Sequence, residues 1–258
     1  MCRWLAGNRK TCVLVGHMCR RLADSRKISQ QGGTGCAAAY RFPLENYGRD
    51  CRMKKEAAIK IITDCAKSYH KNLENKNLLF IFGAPQTPEY FETSFLPRNF
   101  LHLTGVKLSP KRISSSTDFY ERCLSGQLSP ADFYMAQNGT TDMKLSILPQ
   151  LMRLSRCAKM VGDYDNTKSV LYTEKLAGNI SACIGFVKEK DYYIPNTALR
   201  EDIRDISVHP QKRVLAIFSK EIGQELYNTL CYTAKKIEFS CINISEALKR
   251  KLASQLLE

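Results

Sequence analysis

The sequence predicts an α+β fold, with a small antiparallel β-sheet packed against helices, a helical middle third and a terminal helix. Three observations carry this: a helical apolar spacing from Met53, a Gly- and Pro-bounded apolar run at residues 78–82, and three late β-rich segments. Loops that are too short for a helical crossover join the first two of those segments.

Ala58, Ile61, Ile62, Cys65, Ala66 and Tyr69 recur three and four residues apart, the spacing of one helical face, which predicts a first helix to about Leu73. Leu78 to Phe82 then reads as a buried strand stopped by Gly83 and Pro85. In the middle third, Ser114 to Thr117 offers a cap to a helix carrying Phe119, Tyr120, Cys123 and Leu124, ended by Gly126. Ser129-Pro130-Ala131-Asp132 reads as another helix start, and Pro149 as the start of a helix through Leu151, Leu154 and Ala158. Residues 168–173, 182–188 and 213–219 have strand composition, separated by Gly178-Asn179 and by a loop around Pro195. The leucines of the tail, from Ile244 to Leu257, predict a terminal helix.

Composition divides the chain of 258 residues in two. Residues 1–52 hold ten Lys or Arg against three acids and five of the 11 cysteines, and include the polar run Gln30 to Gly35. They read as a basic, Cys-rich, unfolded extension, either an arm for nucleic acid or a misassigned start before Met53. Residues 53–258 read as a single α+β domain. No stretch approaches the ~20 apolar residues of a spanning helix, and no signal peptide is recognisable. The cysteines lack paired spacing, so reduced thiols, a cytoplasmic location and no cysteine metal site are expected. A net charge of +14 favours a polyanionic partner, RNA first among them.

Phosphate-loop, dinucleotide, HExxH and GxSxG signatures are missing, which argues against nucleotide hydrolysis and hydride chemistry. Of four histidines, His17 falls in the extension, His70 reads as surface and His209 as a loop residue before Pro210. His102 stands in Asn99-Phe100-Leu101-His102-Leu103-Thr104-Gly105, whose alternation places His102 and Thr104 on one side of an extended segment. An imidazole beside a hydroxyl suits proton transfer at a phosphate. The alternative is a histidine hydrogen-bonded in the core.

With Tyr90-Phe91-Glu92, Phe119-Tyr120-Glu121-Arg122-Cys123 and Tyr193-Ile194-Pro195-Asn196-Thr197, the His102 block resembles the phage barnase, EndoU, colicin and RelE-like nuclease superfamily, in its fourth phage group. The resemblance spans about residues 78–235 and implies a metal-independent endoribonuclease of a bacterial phage or mobile element, with no cofactor and an immunity or antitoxin protein as candidate partner. It makes His102 the acid or base and Thr104 a donor to phosphate. For the cation, Lys220 beside Ser219 is the first choice, with Lys175 and Arg213 as further candidates on the late strands. Asn196 and Thr197 are candidate donors to phosphate or base. A catalytically inactive RNA-binding or protein-interaction module on the same fold is the competing reading.

Overall fold

A computed structural model describes residues 52–167, 171–208 and 210–257. The expected extension, apart from Arg52, lies outside the described residues, as does His209.

Helix α1 (Lys55–Asn72) forms where the apolar spacing predicts it and buries Ala58, Ile62, Cys65, Ala66 and Tyr69. Glu56 in its first turn and His70 and Lys71 in its last complement the helix dipole. The chain then enters the hairpin β1 (Lys76–Ala84) and β2 (Thr87–Phe95). A single 3₁₀ turn leads into α2 (Phe100–Thr104), followed by β3 (Lys107–Leu108), α3 (Ser116–Ser125) and β4 (Phe133–Tyr134). Helices α4 (Thr140–Leu151) and α5 (Leu154–Cys157) complete the helical middle. Strands β5 (Met160–Asp163), β6 (Lys175–Gly178), β7 (Cys183–Glu189) and β8 (Tyr192–Leu199) precede the one-turn α6 (Ile203–Ile206). The long β9 (Lys212–Glu221), β10 (Thr229–Thr233) and the one-turn α7 (Glu246–Lys249) end the chain.

The architecture is α+β, and the main sheet is mostly antiparallel. Its eight strands run β1-β2-β8-β7-β6-β5-β9-β10, and β1 also pairs with β9, so seven strands close on themselves and β10 hangs on the β9 edge. Among the strand pairs of the described residues, β2–β8 alone is parallel. β3 and β4 form a separate two-stranded ladder.

Each strand sends alternate residues to opposite faces. On the helix-packed face, Leu78, Phe80 and Phe82 of β1 join Phe91, Phe95, Ile217 and the α1 residues in the largest core. On the outer face, Leu79, Ile81, Leu215 and Phe218 are covered by Ile242, Ile244, Leu248 and Leu252 of the tail. A third cluster under α6 joins Leu176, Cys183 and Ile203.

Several local expectations give way. The tail is one helical turn and a 3₁₀ turn, because its leucines cover a sheet face rather than continue a helix. Pro149 lies inside α4, near its end. Ser129 to Asp132 is a turn in which the buried Asp132 carboxylate accepts from the Ser129 amide at 2.8 Å and from Arg112 Nε at 3.0 Å. Pro195 sits within β8. The expected strand at residues 168–173 falls partly outside the described residues, and the strand itself starts at Lys175.

Candidate functional site

His102 is on a helix. Pro97 opens the turn, the Asn99 side chain accepts from the Leu96 amide at 3.0 Å, and Gly105, at φ +72°, ends α2 in the left-handed conformation. Residues two apart on a helix face nearly opposite ways, which separates His102 from Thr104. Thr104 is fully buried, and its hydroxyl donates to the Leu101 carbonyl at 2.7 Å. The expected projection of both side chains from an extended segment is therefore overturned, and Thr104 is no phosphate donor. His102 itself is exposed.

It borders an open cavity of about 810 Å3, whose lining includes Lys107, Tyr134, Asn138, Lys144 and Asn196 and, among the described residues, no carboxylate. Lys144 comes from α4 and donates to the His102 carbonyl at 3.0 Å. Gly105 makes room for it, since a Cβ there would stand 2.8 Å from Lys144 Cδ. The Thr141 hydroxyl donates to the Gly105 carbonyl at 2.7 Å and accepts from the Ala136 amide at 2.8 Å, which fixes α4 against the cavity floor. Although the residue as a whole is exposed, partial desolvation of the ring where it borders the cavity, then the Lys144 charge, lower the His102 imidazole from its ordinary 6.5. Burial also lowers the Lys144 ammonium from its ordinary 10.5. An imidazole and an ammonium, each with its pKa lowered, thus share one cavity.

Asn196 reaches that cavity through an irregularity. Between Gly185 and Phe186 the β7–β8 register slips, with Gly185 opposite Thr197 and Phe186 opposite Pro195, so Asn196 is the extra residue of a β-bulge. Its Nδ2 donates to the Tyr172 carbonyl. Thr197 is buried, packed with Thr173 around Gly185 on the other face. The strand therefore divides this expected pair of donors.

Lys220 is not a partner of His102. On β9 it pairs across from Asn77, two residues beyond Phe218, and so lies on the outer face, whereas Ser219 opposes Leu78 on the helix-packed face. Adjacent strand residues point apart, so Ser219 and Lys220 do not act together. Ser219 Oγ accepts from Cys231 Sγ at 3.2 Å. Lys220 is 9% exposed, donates to the Glu225 carbonyl at 2.9 Å and lies 4.6 Å from the centre of the Tyr227 ring. Lys175 is paired with Asp163 across β5–β6. Arg213 donates to the Lys235 carbonyl at 2.9 Å and is absent from the cavity lining.

Lys220 belongs to a second cluster. Glu92, on β2, accepts from the Tyr227 hydroxyl at 2.8 Å and pairs with Lys251 at 2.7 Å. Burial lowers the Lys220 ammonium from its ordinary 10.5, with Glu92 opposing, while the Glu92 contact raises Lys251 and burial lifts the Tyr227 phenol. Asn77 Oδ1, beside Lys220 by register, is buried and has no hydrogen-bond partner. Glu92 stood in a quoted block, but Lys144 and Lys251 carried no sequence signal that sets them apart from other lysines.

The family model described as phage-Barnase-EndoU-ColicinE5/D-RelE like nuclease4 matches residues 61–236, more than half of the chain. The chain belongs to this nuclease family. The match begins within α1 and ends after β10, so it takes in the His102 cavity and Glu92, Lys220 and Tyr227, but not Lys251. Comparisons with curated proteins and with solved structures found no match. No helix of the described residues is long and apolar enough to cross a membrane, and no group of three His, Cys, Asp or Glu among them could hold a metal ion.

Proposed function

We propose that this family member is a metal-independent endoribonuclease that uses the His102 cavity. The observation that carries the reading is that His102 and Lys144, whose ammonium donates to the His102 backbone carbonyl, line one cavity whose described lining holds no carboxylate. Such a lining receives a phosphodiester and offers a divalent cation no acidic ligand.

In this reading the His102 imidazole takes the proton of a ribose 2′-hydroxyl, whose oxygen forms a bond to the adjacent phosphorus. The bond from phosphorus to the 5′-oxygen breaks, and the Lys144 ammonium supplies the proton to that leaving oxygen. The products are a 2′,3′-cyclic phosphate and a free 5′-hydroxyl. Lys144 and Lys107 balance the charge of the crowded phosphorane, and Asn196 donates to a non-bridging oxygen. RNA as the substrate is supported by the net charge of +14 and by a family of nucleases. The word phage in the family description supports a phage or mobile-element origin, and a bacterial host with an immunity or antitoxin protein as partner belongs to the same proposal. RNA chemistry and the six free thiols of the described residues support a cytoplasmic site of action.

The experiment is incubation of the full chain with an oligoribonucleotide and with the same strand carrying one 2′-deoxy position, each with and without a chelator. Cyclic-phosphate products that persist in chelator and vanish at the deoxy position bear the reading out. Cleavage at the deoxy position, or its loss in chelator, overturns it.

The partly buried Glu92, held between Tyr227 and Lys251, favours a second reading in which the carboxylate is the base and Lys220 the cation. Cleavage that is lost in Glu92→Gln and kept in His102→Ala selects it. A chain that binds RNA without any cleavage is the inactive module.

A further inference from the structure

The ladder of β3 and β4 places a lysine and an aromatic ring side by side at the cavity mouth. Lys107 stands directly opposite Tyr134, and both line the cavity, while Phe133, the preceding residue of β4, turns into the core. Side chains directly opposed across two strands are within reach of each other. Tyr134 is 56% exposed, unusual for so large a ring. It is nonetheless held in place. Lys55 of α1 donates to the Pro130 carbonyl at 2.6 Å and the Phe133 carbonyl at 2.9 Å, which pins the ladder to the first helix. The same ammonium lies 5.6 Å from the centre of the Tyr134 ring. Asn138, with side-chain donors and an acceptor, lines the same cavity.

A fixed, half-exposed ring beside a cation, at the edge of a cavity without acidic lining, has the chemistry of a nucleotide seat. The ring offers a face to a base and the ammonium an opposite charge to its phosphate. A base inside a duplex has both faces covered by its neighbours and cannot use such a ring.

We propose that Tyr134 and Lys107 form a nucleotide-gripping lip, Tyr134 stacking an unpaired base and Lys107 holding its phosphate, so that the cavity selects single-stranded over duplex nucleic acid. The proposal rests on the nuclease reading of that cavity, but binding tests it without cleavage. The probe is a short labelled single-stranded oligodeoxyribonucleotide, which lacks the 2′-hydroxyl, titrated with the full chain in fluorescence anisotropy, beside its duplex.

Tyr134→Ala weakens binding by about 5- to 150-fold, the equivalent of one stacked base, while Tyr134→Phe, which keeps the ring, binds as wild type. Lys107→Ala lowers the salt dependence by about 0.7 in slope, as the loss of one phosphate contact does. Unchanged binding by Tyr134→Ala, equal losses in the Ala and Phe variants, duplex bound as tightly as single strand, or no binding by wild type overturns the lip. The outcome separates from the catalytic reading. If His102→Ala still cleaves while Tyr134→Ala loses binding, the base assignment falls and the lip stands. If His102→Ala is inactive and Tyr134→Ala binds normally, the reverse holds.

Discussion

The Lys144 ammonium donates to the His102 backbone carbonyl at 3.0 Å and thereby joins helix α4 to the short helix that carries the imidazole. The contact ties the position of one functional group to that of the other. It also couples their charges, since Lys144 works with burial to lower the His102 pKa.

That coupling predicts a bell-shaped pH profile. A base must be unprotonated, so activity rises with pH through the His102 pKa, which lies below the ordinary 6.5. The acid must be protonated, so activity falls as pH passes through the Lys144 value, which lies below 10.5. Measured kcat/KM against pH should show both limbs, and Lys144→Met should remove the alkaline one. An acid limb centred above 6.5 contradicts the assignment.

Gly105 is predicted to be irreplaceable by alanine. At φ +72° an L side chain is strained, and its Cβ would meet Lys144 Cδ at 2.8 Å. Gly105→Ala should lower stability by about 1–2 kcal/mol in urea unfolding and reduce cleavage by moving Lys144. A variant as stable and as active as wild type shows that this close approach has no role.

How much of this was legible in sequence depends on the kind of signal. The first helix and the strand at residues 78–82 were readable because burial sets a period over many residues. The His102 segment was misread because seven alternating residues are too short to fix a period. Pro97 and Gly105, a helix-opening proline and a helix-ending glycine, were the better guides. Asn196 lines the cavity, but its access depends on a bulge in β8, which no local pattern announces. Lys144 and Tyr134 reach the cavity only through tertiary packing. That Lys220 lies on the outer face, away from His102, follows from the pairing of β9 with β1, which joins residues far apart in the chain.

The outer cluster is predicted to contribute mainly stability. Glu92→Gln removes the charge that faces Lys251 and weakens the Tyr227 contact, which should cost about 1–3 kcal/mol. Because Lys251 is raised above its ordinary 10.5 in the fold, the stabilisation is complete below that pH and fades as pH rises through the folded value. Unfolding free energies measured from neutral to alkaline pH should converge for wild type and Glu92→Gln. Cleavage by the variant should stay within about tenfold of wild type. A loss beyond about 100-fold in a fully folded protein moves the chemistry to Glu92.

The comparison that bears most directly on the central claim is single-turnover cleavage of a single-stranded oligoribonucleotide at pH 7 by the full chain and by His102→Ala. The exposed imidazole makes little contribution to the core, so the variant should unfold at the wild-type urea midpoint while its rate falls by about 10²- to 10⁴-fold, the usual share of a proton-transfer group. Equal rates for the two proteins would contradict the account.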